Sequence, residues 1–262
     1  MELGLENKVV VVTASSKGLG FATALEFAKE GANVVISSRD KKNLVEASKN
    51  IKDIAKGKIL AIKADLLDEN DMENLFNKTI EEFGTVHILV NNTGGPKAGS
   101  FDNISDEDWQ RAFEQVLLSM IRCIRKAIPF MKKQRFGRII NFASSSFKQP
   151  IDNLILSNTF RTGILGLAKT LSVELAPFNI LINTLGPGRI ETERVKELDQ
   201  FFAEKNSITY DEAKSKAEMQ VPAGRYGKPE ELAKVATFLC SAANTYVTGQ
   251  SFLVDGGLIR AI

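Results

Sequence analysis

The stretch Lys8-Val9-Val10-Val11-Val12-Thr13-Ala14-Ser15-Ser16-Lys17-Gly18-Leu19-Gly20 decides the fold. Four consecutive valines, with no polar alternation, are what a strand buried on both faces requires. Small residues behind them make a tight turn. Leu19, Ala22, Leu25 and Ala28 then recur at three-residue steps, as on one face of a helix, and Gly31 stops it. A strand running through such a turn into a helix brings backbone close to an anion that the helix N-terminus attracts. The spacing departs from G-x-G-x-x-G, and alone such a turn can simply link a strand to a helix.

Outward from this unit the pattern repeats. Strands are expected at 33–37, 59–62, 86–90, 138–142, 180–185 and 251–254. Between them fall a polar helix ending near Ile54 and helices at 70–83, 109–133, 154–175 and 229–242. Trp109, Phe113, Val116, Met120, Ile124 and Ile128 form one apolar stripe on the long third helix of that set. Residues 191–222 are charged, with helix-like pieces. Alternating strands and helices predict an α/β fold: one doubly wound parallel sheet with helices on both faces, residues 1–262 forming a single domain. Such sheets bind ligands at the carboxyl ends of their strands.

Composition narrows the function. The chain has 262 residues, 44% hydrophobic and 25% charged, which excludes low-complexity disorder. Its 34 basic and 32 acidic residues leave a net charge of +2, too little to argue for nucleic acid or a membrane surface. The cluster Lys132, Lys133 and Arg135 reads as a solvated helix end. The two cysteines, Cys123 and Cys240, read as small core residues in a reducing compartment. The single histidine, His87, sits against Ile88-Leu89-Val90 and reads as structural; no His/Cys spacing suggests a metal site. No segment is long and apolar enough to span a bilayer. Glu2 and Glu6 replace the basic start of a secretory leader, so a cytoplasmic protein is expected.

Several motifs, in order, resemble those of the short-chain dehydrogenase/reductase family. Thr13-Ala14-Ser15-Ser16-Lys17-Gly18-Leu19-Gly20 resembles its T-G-x-x-x-G-x-G, with Ala14 at the first glycine. Asn91-Asn92-Thr93-Gly94 is similar to N-N-A-G, and Asn141-Phe142-Ala143-Ser144 to the strand carrying the catalytic serine. Pro187-Gly188-Arg189-Ile190-Glu191-Thr192 is similar to P-G-x-x-x-T, and Thr248-Gly249 with Val254-Asp255-Gly256-Gly257 to the last strand. The resemblance spans nearly the whole chain. It implies a Rossmann fold, and in detail a 3-oxoacyl-carrier-protein reductase-like member. At Ala14, a turn with φ below zero is expected to tolerate the Cβ.

The resemblance implies a nicotinamide cofactor, and the end of the second strand indicates which one. Ser38 stands near the position where an NAD enzyme places an acid for the ribose 2′-hydroxyl. Arg39 beside it, with Lys17 in the glycine turn, suits a 2′-phosphate, so NADP(H) is expected. The implied cofactor residues are Thr13, Ser15, Ser16, Lys17, Gly18, Leu19, Gly20, Ser38, Arg39, Asp65, Leu66, Asn91, Thr93, Gly94, Arg161, Pro187, Gly188, Ile190 and Thr192. Asp65 reads also as a helix N-cap.

The family's Asn, Ser, Tyr and Lys fall here on Val116, Ser144, Ser157 and Arg161. Y-x-x-x-K has become S-x-x-x-R, with Ser157 and Arg161 on one helix face. The expected catalytic set is thus Ser144, Ser157 and Arg161, with Ser145 and Ser146 as alternatives to Ser144. A serine hydroxyl is a far weaker acid than a phenol, and arginine stays protonated, so ordinary proton donation is altered. Tyr210, Lys148 and Asp152 are other candidate acids, though for each an exposed loop residue is the simpler reading. Arg189 and Arg194, beside the expected substrate lid 191–222, could attract an acidic substrate; solvated charge is the simpler reading.

Two functions follow. One is an NADPH-dependent reductase acting on a small-molecule carbonyl, imine or activated alkene through an altered proton donor. The other is an inactive NADP(H)-binding sensor or assembly subunit. The resemblance also implies a homo-oligomer, tetramer or dimer, formed through the helices at 109–133 and 154–175 and the C-terminal strand. The apolar tail 258–262 suits burial there or against its own core.

Overall fold

The computed structural model describes residues 2–261; Met1, and Ile262 at the end of the apolar tail, lie outside the described residues. The elements alternate as expected: β1 (Val9–Val12), α1 (Gly18–Lys29), β2 (Asn33–Ser38), α2 (Lys41–Lys52), β3 (Ile59–Lys63), α3 (Glu69–Phe83) and β4 (Ile88–Asn91). The second half holds α4 (Asp106–Ala112), α5 (Ser119–Gln134), β5 (Gly137–Phe142), α6 (Ile155–Leu175) and β6 (Ile180–Pro187). It closes with α7 (Glu193–Asn206), α8 (Tyr210–Gln220), α9 (Pro229–Leu239) and β7 (Ser251–Val254).

The seven strands form one sheet in the order β3-β2-β1-β4-β5-β6-β7, every neighbouring pair parallel. The valine run shows why. Val10 and Val12 point to one face, where Val34, Ile36, Ile88 and Val90 meet Phe27, Leu44, Ile51 and Leu232 from α1, α2 and α9. Val11 points to the other, where Val35, Leu89 and Ile139 meet Met72, Leu75, Ile124 and Ala168 from α3, α5 and α6. A period of two with both faces covered leaves no polar position in the strand. Each such side chain, fully buried, stabilises the fold by roughly 1.5–3 kcal/mol.

The chain steps from β1 outward to β3, then returns to place β4 on the other side of β1. That reversal opens a crevice at the carboxyl ends of β1 and β4. Hydrogen bonds across it fix its floor. The Thr13 N–H donates to Val90 O at 3.1 Å. Thr13 Oγ1 donates to Asn92 O and accepts from the Asn92 N–H, each at 2.8 Å. At the opposite end, His87 Nδ1 accepts from the Val9 N–H at 3.0 Å. Burial, with Lys8 nearby, lowers the His87 pKa to about 4, so the imidazole is a neutral structural acceptor. Cys123 and Cys240 are free and buried, and burial pushes both thiols up to about 12. Lys132 and Lys133 occupy the last turn of α5, with Lys132 Nζ 4.6 Å from the centre of the Phe178 ring.

Three expectations are corrected. The long helix expected at 109–133 begins at Asp106, where Ser105 forms a capping box with Asp108, and is broken by a π-helical turn at Phe113–Leu118. A π turn inserts an extra residue, so the apolar stripe shifts register midway. Ala14 has φ +46, in the left-handed region, not below zero. It is held there by Asn92 Nδ2, which donates to Ala14 O at 2.9 Å. Asp65 is not a helix N-cap: Asp68 caps α3, and Asp65 Oδ1 instead accepts from the Leu67 N–H at 3.0 Å.

Candidate active site

The crevice is a cavity of about 390 Å³. Its walls run from the glycine turn, past the ends of β2 and β3, to the start of α7. At one end Ser16, Lys17, Gly18 and Leu19 open on to it. The first turn of α1 carries no acidic residue and no side-chain cap, whereas α2, α3 and α7 are capped by Asp40, Asp68 and Thr192. Its N–H groups are therefore left for an anion. Gly20 keeps the turn tight: a Cβ there would lie 2.6 Å from Ala14 O and 2.7 Å from Asn92 Nδ2.

At the end of β2, Ser38 Oγ accepts from Ser16 Oγ at 2.9 Å and from the Asp40 N–H at 3.2 Å. Arg39 beside it is exposed and lines the cavity, and no carboxylate among the described residues pairs with it. Lys17 is different, because its ammonium pairs with Glu193 on α7. Asp65 and Leu66 line the wall beyond β3.

At the other end, Ser144, Ser157 and Arg161 meet. Ser144 Oγ accepts from the Ser146 N–H at 3.1 Å, leaving its own hydrogen free. Ser145 and Ser146 turn away from the cavity, which makes Ser144 the serine at the site. Ser157, one α-helical turn before Arg161 on α6, lines the cavity without a hydrogen-bond partner among the described residues. Arg161 is 7% exposed, and its Nη1 donates to Phe142 O at 2.6 Å. Burial, and then nearby Arg194, lower its pKa to about 10, so it remains a cation at neutral pH.

Thr93, Gly94, Pro187, Gly188, Ile190 and Thr192 also line the cavity. Thr13, Ser15, Gly20 and Asn91 do not. Ser15 Oγ donates to Val12 O at 2.7 Å and accepts from the Ser37 N–H at 3.0 Å. Asn91 Nδ2 donates to Asn141 Oδ1 at 2.9 Å inside the sheet. Thr13, Ser15 and Asn91 thus use side-chain hydrogen bonds to hold the turn and the strand ends together, and Gly20 leaves room for that packing.

Val116 is fully buried among Met120, Ala143 and Ile164. The residue before it, Gln115, lines the cavity and donates to Gly95 O at 3.3 Å. Lys148, Asp152 and Tyr210 do not reach the cavity: Lys148 and Asp152 are exposed on their loop, and Tyr210 opens α8. Tyr226 is buried, donating its hydroxyl to Asp199 Oδ2 at 2.8 Å. Four residues of the charged segment, expected to have no role or to be solvated charge, line the cavity: Glu193, Arg194, Val195 and Leu198. Arg194 Nη2 donates to Pro96 O at 2.7 Å, and its Nη1 lies 3.4 Å from Glu197. The guanidinium crosses Gly95, where a Cβ would come within 2.6 Å of its Nε.

A parallel sheet reversing at β1, an uncapped helix behind a glycine turn, and hydroxyls facing that turn across one crevice define a class. The chain belongs to the short-chain dehydrogenase/reductase family, and within it resembles the 3-oxoacyl-carrier-protein reductases. The profile of a family described as enoyl-(acyl carrier protein) reductase matches residues 13–259. The chain is 32% identical over 261 residues to the NADPH-dependent reductase BacG of Bacillus subtilis, covering 98% of this chain and 100% of that one. It is 33% identical over 257 residues to the 3-oxoacyl-[acyl-carrier-protein] reductase FabG of Thermotoga maritima, covering 97% and 99%. L-Sorbose reductase of Gluconobacter frateurii, solved in complex with NADPH and L-sorbose, superposes with a TM-score of 0.94 at 31% identity, covering 100% of both chains.

Proposed function

We propose that this protein is an NADPH-dependent reductase that delivers hydride to a small-molecule carbonyl, imine or activated alkene, with a proton donor other than the family's tyrosine. One observation carries the reading. A single cavity joins Ser38 and Arg39, at the end of β2, to the hydroxyls of Ser144 and Ser157 beside a buried guanidinium. The NADPH named for BacG and bound in L-sorbose reductase supports the choice of cofactor.

The residues present fit that cofactor. The open N-terminus of α1, with Ser16, Gly18 and Leu19, suits the pyrophosphate. Arg39 suits a 2′-phosphate that a carboxylate at Ser38 would repel, and Lys17 could join it only by leaving Glu193. Asp65 and Leu66 stand at the adenine end; Thr93, Gly94, Pro187, Gly188, Ile190 and Thr192 flank the nicotinamide end. Thr13, Ser15, Gly20 and Asn91 act from beneath. The bound cofactor supplies the hydride. Ser144 and Ser157 donate hydrogen bonds to the acceptor, and Arg161 offers its remaining N–H groups to ribose hydroxyls or to developing negative charge. Water delivers the proton, because among the described residues no carboxylate or imidazole hydrogen-bonds either serine.

Calorimetric titration with NADPH and NADH tests the cofactor, and NADPH oxidation against enones, imines, quinones and 3-oxoacyl thioesters tests the chemistry. Micromolar NADPH affinity, far weaker NADH affinity and turnover of one class are the expected results. The sensor reading has an observation in its favour: no tyrosine lines the cavity among the described residues. Tight NADPH binding without turnover of any class would select it. In either case the protein is read as a cytoplasmic homo-oligomer, dimer or tetramer. No helix among the described residues is long and apolar enough to cross a membrane.

A further inference from the structure

The charges along the cavity are unevenly matched. Of its two carboxylates, Glu193 pairs with Lys17, and Asp65 stands at the far wall with its oxygen on a backbone N–H. Where Ser144 and Ser157 meet, the wall carries Arg161 and Arg194 and, among the described residues, no acid. Arg161 is more than nine-tenths buried, with one backbone carbonyl as its only protein partner among the described residues. A guanidinium has five N–H donors, so most of its capacity faces the cavity. Arg194 spends part of its own on Pro96 O and the exposed Glu197. It stands in the first turn of α7, where the helix dipole adds further positive potential. Two cations in one partly enclosed space raise each other's energy, and an anion between them removes that cost. Leu154, Val195 and Leu198 are among the apolar residues that line the same cavity.

We propose that the substrate is a small carboxylate with an apolar body, its carboxylate held by Arg194 above the cation of Arg161 and its body against Leu154, Val195 and Leu198. This inference rests on the reductase reading, since the site adjoins the nicotinamide end of the cavity. Arg194 is the specificity-determining residue. A planar guanidinium laid across Gly95 suits a bidentate carboxylate, which an ammonium does not reproduce.

The test is a calorimetric titration of the NADP⁺-saturated protein with 3-phenylpropanoate and with its neutral match, 3-phenylpropanamide. The acid is expected to bind about tenfold or more tighter than the amide. R194Q should erase that preference and R194K restore only part of it. K196Q, an equal charge change on the exposed side of α7, should keep it. NADP⁺ affinity measured on each variant reports that it is folded. Equal affinity for acid and amide, no binding of either at tens of millimolar, or an unchanged preference in R194Q would each overturn the inference while leaving the cofactor reading standing. Failure of the parent protein to bind NADP⁺ or NADPH would overturn both.

Discussion

Ala14 holds φ +46, where an L-residue with a Cβ is strained by about 1–2 kcal/mol, and the Asn92 side chain on its carbonyl keeps it there. Ala14→Gly should therefore stabilise the protein by about 1 kcal/mol after the entropy cost of glycine, seen as a raised unfolding midpoint. Among the described residues, Arg39 at the end of β2 pairs with no carboxylate. R39A should weaken NADPH by about tenfold to a hundredfold and leave NADH nearly unchanged, measured by calorimetry. His87 offers a pH-dependent test. Its pKa of about 4 in the fold lies below the ordinary 6.5, so the unfolded chain takes up the proton first. Its contribution is full above pH 6.5 and is lost as pH falls toward 4. H87Q, which keeps an acceptor for the Val9 N–H, should show a shallower fall in melting temperature across that window. Residue types at this scale were readable where chemistry is local: a serine and an arginine after a strand, a glycine before a helix. The sign of φ at Ala14 was not, because a side chain 78 residues away sets it.

At the scale of elements, α7 is tied to the body of the protein by one buried carboxylate. Asp199 is 2% exposed; Arg189 pairs with its Oδ1, 2.5 Å away, and the Tyr226 hydroxyl bonds its Oδ2. Burial and that bond push the Tyr226 phenol upward, so it stays a neutral donor. D199N leaves Arg189 short of a counter-charge. Because Arg189 is partly solvated, the cost should lie near the lower end of a broken buried pair, about 3 kcal/mol or less. Hydrogen exchange should quicken first across 193–206. The sequence predicted that 191–222 would be charged and partly helical, yet not which of its faces turns inward. Asp199 reads as a solvated acid in a helical pattern until Arg189 and Tyr226 are brought to it from outside the helix. The π turn at 113–118 hid Gln115 in the same way. The apolar stripe predicts Val116 inside, and it is; the extra residue that turns Gln115 to the cavity leaves no mark in hydrophobic spacing.

For the whole molecule, the positions of the seven strands and their parallel arrangement followed from the sequence, because apolar runs separated by helical patterns imply crossovers; their order across the sheet came from the structure. Association is a surface property and calls for its own test. Val173 on α6 is 73% exposed in the single chain, on a helix expected to face another copy. V173E should lower the oligomeric state measured by light scattering, with NADPH affinity retained at the distant cavity. An unchanged mass would remove α6 from the interface.

The Thr13–Asn92 bonds have a consequence for the order of events in time. The turn proposed to meet the phosphates is made early in synthesis, but the residue that clamps it lies 79 positions later. A nascent chain that has released only β1 to α3 carries the whole glycine turn without its anchor. Ligand recognition should thus switch on late and abruptly, when β4 slots in beside β1. Fragments ending before residue 92 should show no nucleotide retention however much helix they contain.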